Sequence, residues 1–552
     1  MLKRFALLAA LLSSPAFADT LVTNVKGVQV GADGKLQRFG AMTIGEDGKV
    51  RQLIERPELV RLANITSTID GGGRTLLPGL IDAHGHVMGL GMGALQLDVT
   101  GASSLSDLQQ RLRAYAAANN RLPWIIGRGW NQELWSGKAF PSAADLDRIV
   151  ADRPVVLERV DGHALVVNSA ALTAAGITSA TKDPIGGKIE RDAQGRPTGL
   201  LIDAATKIIE AKKPKQTLAD RVTGLAKAQS ILLSYGVTAT ADMGTSRDEW
   251  LAMRAMGDDG RLKLRIMSYA TVNDPLETAA DTKVWHYGDR LRMGGVKIYD
   301  DGALGSRGAW LKRSYADAPN TRGLQFLSNA QLREQLSRAL SLGLQPAVHA
   351  IGDAANAQVI SAYEALGKRY GKARRFRIEH AQVVDPVDIP RLAKAGIIAS
   401  MQPTHQTSDR LMASERLGTA RLGGAYAWRT IARSGARLAF GSDYPVESPN
   451  PFPGLSAAVS RQDPNGQPRG GWRPQERVSF ERALAGFTRD AAYAGFAEDR
   501  IGSLEPGKWA DFILVDRDPT VVNPQELAGT TVLQTWIAGE KVFDASAPSP
   551  GK

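Results

Sequence analysis

The central four hundred residues of the chain alternate between short apolar runs and longer stretches in which apolar residues recur every three to four positions. That alternation is the pattern of parallel βα units. The runs predict strands at Leu77 to Ala83, Val237 to Ala241, Arg265 to Tyr269, Gly295 to Tyr299, Gln345 to His349, Phe376 to His380, Ile397 to Met401 and Leu438 to Ser442. Eight such strands predict an α/β fold, a (β/α)8 TIM barrel. The two ends have a different texture. Leu21 to Val25, Val28 to Val30 and Ala41 to Ile44 read as strands broken by the turn signals Gly31-Ala32-Asp33-Gly34 and Glu46-Asp47-Gly48. Asp511 to Val515, Thr531 to Ile537 and Gly539 to Val542 repeat that texture near the C-terminus, so the two ends are expected to pair into one β-domain. The expected division is a leader at 1–18, β-domain halves at 19–76 and 503–546, and the barrel at 77–502 with an insertion at about 101–215. Insertions at the active face of a barrel commonly shape the pocket.

The first residues follow another pattern: Lys3-Arg4, an apolar run from Phe5 to Leu12, then Ser13 to Ala18 ending in Ala-Phe-Ala. This is the order of a secretory signal peptide, with cleavage expected after Ala18; an amphipathic N-terminal helix is the alternative. The run is far shorter than the roughly 20 residues of a membrane-spanning helix, so a chain exported to the periplasm, without an integral membrane segment after cleavage, is the expectation. Composition narrows the chemistry. With no cysteine in 552 residues, disulfides, thiolate ligands and a cysteine nucleophile are excluded, and any metal must sit on nitrogen and oxygen. Removing residues 1–18 deletes two basic residues and no acid, leaving 66 Lys and Arg against 57 Asp and Glu, a charge of +9. Without a dense Lys/Arg block interleaved with aromatics, that excess does not point to nucleic acid. A small-molecule substrate is the expected partner.

Only seven histidines occur, and four of them, His84, His86, His349 and His380, fall at the C-terminal ends of predicted strands, where barrel active sites lie. Side chains two apart on a strand point the same way, so His84 and His86 can share one ion. Lys297 faces away from Val296 and Ile298 and so into the barrel, where a lysine needs a partner or a modification. Each residue has a plainer reading: a strand-end histidine as a bonded core residue, and Asp443 as a helix N-cap. His405, in Gln402-Pro403-Thr404-His405, is a further candidate for the rim; His286 is assigned to structure. Trp124, Trp130 and Trp135 could floor an apolar pocket or serve as ordinary core.

Pro78-Gly79-Leu80-Ile81-Asp82-Ala83-His84-Gly85-His86 resembles the opening strand of the amidohydrolase superfamily. Trp130-Asn131-Gln132, Asp161-Gly162-His163, Asn168-Ser169, the run Asp301 to Arg307 and the run Gly502 to Asp511 are similar to amidohydrolase family 3, the YtcJ-like branch that includes N-substituted formamide deformylase. The resemblance implies metal ligands at His84, His86, Lys297, His349, His380 and Asp443. It implies one or two zinc-class divalent ions, Lys297 carboxylated on its amine, and a composite β-sandwich built from the terminal segments. A homodimer is compatible with it. The implied activity is hydrolysis of a non-peptide C–N bond of amide, N-acyl or N-formyl type by metal-activated water, with Asp443 moving the proton. His163 and Arg307 are candidates to assist the oxyanion or grip the substrate, a structural role being the alternative for each. Two other readings stand beside this one: a lactone, carbamate or ester hydrolase using the same centre, and a catalytically silent periplasmic binding protein.

Overall fold

The computed structural model describes residues 19–59, 64–159, 162, 164–184, 187–272 and 284–547. The leader at 1–18 and the candidate His163 lie outside the described residues. The chain forms two compact units, Leu90–Ala228 and the remainder on either side of it.

The larger unit holds the barrel. Its strands one to eight are Leu80–Gly85, Val237–Thr245, Arg265–Thr271, Leu291–Tyr299, Gln345–Ala350, Arg377–His380, Ile398–Met401 and Arg437–Phe440. All seven neighbouring pairs run parallel. Every predicted strand is present, with ends shifted by a few residues. These runs form strands because they are rich in β-branched and small apolar residues and are buried on both faces, as a sheet wrapped in helices requires. Ile81, Ala239, Ala241, Met267, Ala347, Ile398 and Ala439 share one core cluster.

Strands eight and one do not form a regular ladder; they are joined at their C-terminal ends. Asp443 N–H donates to the His84 carbonyl at 2.7 Å and His86 N–H to the Tyr444 carbonyl at 2.8 Å. Beneath them the buried Asp82 carboxylate accepts from Ser442 N at 3.1 Å, Ser442 Oγ at 2.7 Å and His84 N at 3.0 Å. Burial pushes the Asp82 carboxyl up to about 7 against those hydrogen bonds.

The terminal segments form one eight-stranded sheet in the same unit. Along it lie Glu540–Asp544, Val532–Ile537, Phe512–Val515, Ile65–Pro78, Asp19–Val30, Ala41–Ile44 and Val50–Ile54, with Leu36–Phe39 branching from Asp19–Val30. Phe512–Val515 pairs antiparallel with Thr75 to Pro78, so the two ends meet in the strand that leads into the barrel. Val22, Met42, Val50, Leu76, Phe512 and Leu514 build a core on one face of this sheet. The run Gly502 to Asp511 serves that assembly. Asp511 accepts from Arg265 Nε at 2.6 Å and Nη2 at 2.9 Å, and the same guanidinium lies 4.9 Å from the Trp509 ring.

The smaller unit starts earlier and ends later than the insertion read from sequence. It carries a six-stranded sheet in the order Gly187–Arg191, Pro197–Asp203, Ala164–Val167, Val155–Arg159, Ile125–Trp130, Leu97–Asp98. The strand period of two divides its residues between two cores. Val155, Leu157 and Val166 pack with Leu108 and Leu112 of the helix Leu105–Ala118, while Val156, Leu165 and Val167 pack with Ala171 and Leu172 of the helix Ser169–Ala175. Trp130 and Trp135 belong to the first core and donate to the carbonyls of Leu157 and Ala102, each at 2.8 Å; Trp124 packs on the second. They are core residues of this unit. Asn168 is likewise structural: it caps Ser169–Ala175 and bonds Val155 N, Val150 O and Arg153 O.

Candidate metal centre

At the C-terminal rim of the barrel the structure brings together His84, His86, Lys297, His349, His380 and Asp443. Strand one delivers two imidazoles. His84 is fully buried, while His86 reaches the rim with its side chain 31% exposed, and both Nε2 atoms face Asp443 Oδ1, at 3.4 and 3.1 Å. Gly85 between them is required for space. A Cβ there would lie 2.2 Å from the buried Tyr444 ring, whose hydroxyl is 2.8 Å from Thr240 Oγ1.

Lys297 arrives from strand four. It is 1% exposed, its Nζ is 3.2 Å from His84 Nε2, and it lies 4.9 Å from the Tyr299 ring centroid. Burial lowers its pKa to about 8, although Glu379 and Asp443 pull the other way. His349 ends strand five and His380 strand six; their rings are 4.5 Å apart, and His380 is 4.7 Å from His84. His349 Nε2 is buried without a hydrogen-bond partner. Asp301, after strand four, holds the turn beside it by accepting from Ile351 N at 2.9 Å, Gly352 N at 2.8 Å and Trp310 N at 2.9 Å.

Burial keeps these imidazoles neutral, with free lone pairs. It lowers His84 to about 4, with Lys297 adding to the shift, and His349 to about 3 for the same two reasons; His380 falls well below the ordinary histidine range. Burial alone would raise the Asp443 carboxyl, but His84, the hydrogen bond from His86, and His380 and His405 hold it well below its usual value. His380 and Asp443 also stand at φ +75° and +61°, a region that costs a non-glycine residue on the order of 1–3 kcal/mol and clusters at functional sites.

Sequence reading missed Glu379, which is fully buried. Its Oε2 takes a 2.6 Å hydrogen bond from His84 Nδ1, which leaves Nε2 as the free donor atom of that ring. Arg377, two residues back on the same face of strand six, bonds Glu379 Oε1 at 2.7 Å. The signal was available: two opposite charges at i and i+2 in a buried strand are tolerated only as a pair. Arg307 lies in the loop after strand four. Its guanidinium donates to Asp317 at 2.8 and 3.2 Å, and Asp317 is also held by Arg416. A half-exposed arginine takes the nearest carboxylate, and Arg307 here braces the loop after strand four.

The donors fit a divalent cation. His84, His86 and Asp443 offer ligand atoms all within 4.8 Å of one another, as do His380, His405 and Asp443. Neutral imidazoles with an ionised carboxylate are the ligand set of zinc-class ions in a cysteine-free chain.

Comparison with known proteins agrees with this geometry. The profile of the "Amidohydrolase family" matches residues 67–543. The chain is 34% identical to Protein LONG AFTER FAR-RED 3 of Arabidopsis thaliana over 95% of this chain and 92% of that protein. It is 27% identical to N-substituted formamide deformylase of Arthrobacter pascens over 85% of this chain and 89% of the relative. Among solved structures, an uncharacterized metal-dependent hydrolase from Pyrococcus furiosus superposes with a TM-score of 0.77 at 29% identity, covering 91% of this chain and 100% of that one.

Proposed function

The chain belongs to the amidohydrolase family, and from that premise we propose that it hydrolyses a non-peptide C–N bond of amide, N-acyl or N-formyl type. The observation that carries the reading is the convergence of the buried His84 and His380, the part-buried His349, all three imidazoles neutral, with His86, Lys297 and Asp443 on one barrel rim. The bond type is supported by the similarity to N-substituted formamide deformylase.

His84, His86, His349, His380 and Asp443, with Lys297 if carboxylated on its amine, would hold one or two zinc-class ions. When bound, such an ion supplies a Lewis acid and brings the pKa of water to about 7. The chain's residues do the rest. Asp443, ionised and facing both His84 and His86, accepts the proton of the attacking water and passes it to the departing nitrogen. Lys297 is suited to carboxylation because burial makes its neutral amine accessible near physiological pH. Glu379 keeps the His84 ring turned with Nε2 toward the site.

The Lys3-Arg4 leader pattern supports export and a periplasmic location, and among the described residues no helix is long and apolar enough to cross a membrane. The test is elemental analysis of the mature protein beside Asp443→Asn, with a panel of N-formyl, N-acyl and ester compounds. One or two ions per chain and metal-dependent cleavage of an amide-type compound are expected. A native protein that takes up no metal when supplied would end the hydrolase reading, and cleavage of esters alone would overturn the bond type.

A further inference from the structure

His405 occupies the first turn of the helix Pro403–Leu417, which follows barrel strand seven. It is 8% exposed, its ring stacks on His380 at 5.9 Å, and its Nε2 is buried without a hydrogen-bond partner, 3.7 Å from Asp443 Oδ2. A nitrogen orphaned at that depth has given up its water without a replacement partner. It is the other ring nitrogen that decides what Nε2 can do.

His405 Nδ1 lies 3.3 Å from Gln382 Nε2. The amide orientation of Gln382 follows from its neighbour: the same Nε2 donates to Asp409 Oδ2 at 3.1 Å, and that oxygen also receives the Tyr426 hydroxyl at 2.6 Å. A carboxylate only accepts, so the amide must present its NH2 there. Tyr426 N–H, bonded to the Gln382 carbonyl at 2.6 Å, fixes the backbone at the same point. One amide proton goes to Asp409 and the other to His405 Nδ1. In the neutral ring Nδ1 is then the acceptor, and the proton sits on Nε2.

The geometry points to His405 as a positioning residue: an Nε2–H donor, set in that tautomer by Tyr426, Asp409 and Gln382, that holds Asp443 Oδ2 while Oδ1 faces His84 and His86. The gap to Asp443 is about 0.8 Å longer than a hydrogen bond of roughly 2.9 Å, within reach of a small turn of either side chain. The assignment opposes the alternative that the spacing of His380, His405 and Asp443 permits, a cation bound by all three. A ligand nitrogen needs its lone pair, which would place the proton on Nδ1, facing the NH2 of Gln382, donor against donor. The role of Asp443 rests on the hydrolase reading; the tautomer does not.

The test is solid-state 15N spectroscopy of the full mature chain labelled with 15N-histidine, at about pH 8, above the ordinary imidazole range, metal-free and with zinc. His405 is assigned by the resonances lost in His405→Gln or, should that variant not fold, by the pair that splits in Gln382→Leu as the single tautomer gives way to a mixture. The expected result is an unprotonated Nδ1 and a protonated Nε2, unchanged by zinc, with the Nε2 resonance moving in Asp443→Leu as the hydrogen bond is lost. A proton on Nδ1, a zinc-induced shift of Nε2 to the coordinated position, or no response to Asp443→Leu would each overturn it. The tautomer is read without metal, so a protein that binds no zinc yet shows Nε2–H would defeat the hydrolase reading and leave this assignment standing.

Discussion

Replacing Arg377 by methionine should destabilise the barrel by about 3–5 kcal/mol, the cost of leaving one partner of a buried ion pair alone. Arg377 and Glu379 are both fully buried. The guanidinium donates to Glu379 Oε1 at 2.7 Å and Oε2 at 3.1 Å, the Ala83 carbonyl at 2.7 Å, the Tyr269 hydroxyl at 2.9 Å and Ser400 Oγ at 3.1 Å. Burial alone would raise the Glu379 carboxyl, but Arg377, with help from His84, holds it far below the usual range. Methionine fills much of the stem volume and supplies none of these donors. An unfolding entropy near 2.1 cal/mol/K per residue over the roughly 400 residues of the larger unit is about 0.8 kcal/mol/K, so the melting temperature should fall by about 4–6 °C. Adding Glu379→Gln removes the stranded charge and keeps an acceptor for His84 Nδ1, so the double variant should recover at least about half of the loss. Calorimetry of the metal-free protein reads both numbers. A single variant within about 1 °C of wild type, or a double variant that melts below the single, would refute the account of Glu379 as a charge that only Arg377 makes tolerable.

Three further outcomes follow from the same geometry. Glu379→Gln alone should weaken zinc affinity about 10- to 100-fold, the usual effect of losing the partner that orients a ligand imidazole; competition with a chromophoric chelator measures it. Lys297 has a folded pKa of about 8 against 10.5 for the free side chain, so between those values the unfolded chain binds the extra proton and the stability of the metal-free protein should rise with pH. Urea unfolding from about pH 7.5 to 10 should show that rise in the wild type and a smaller one in Lys297→Met; equal slopes would place the shift elsewhere. Gly85→Ala forces a Cβ against the Tyr444 ring; it should cost about 1–3 kcal/mol and displace His86 or Asp443, so that metal uptake falls and Tyr444→Leu partly restores it.

The barrel was legible because its strands carry their own signal: buried on both faces, they read as apolar runs that no surface segment could hold. His84, His86, His349, His380 and Lys297 were legible because strand period and strand end fix where a side chain emerges. What surrounds them was harder to read. Glu379 orients His84 through a hydrogen bond between residues 295 positions apart, and the setting of His405 passes through Gln382, Asp409 and Tyr426 on separate segments. Arg307 closes a motif that looks functional, yet its nearest carboxylate, ten residues on, claims it. The edges of the smaller unit were blurred because Leu97–Asp98 is a two-residue strand that pairs with Ile125–Trp130, too short to leave a pattern of its own.

The seam between strands one and eight also sets a timetable. Asp82 and Ser442, whose bond helps close it, are 360 positions apart. At a synthesis rate of about 5–20 residues per second, His84 and His86 emerge roughly 20–70 s before Asp443 exists. Until then the nascent chain offers histidines, His349 and His380 joining the first pair on the way, without the Asp443 carboxylate that both His84 and His86 face. On the proposed reading of the rim as a metal centre, loading would wait until the last strand has been made and docked, and were the chain exported, the choice of metal would fall to the compartment where folding finishes.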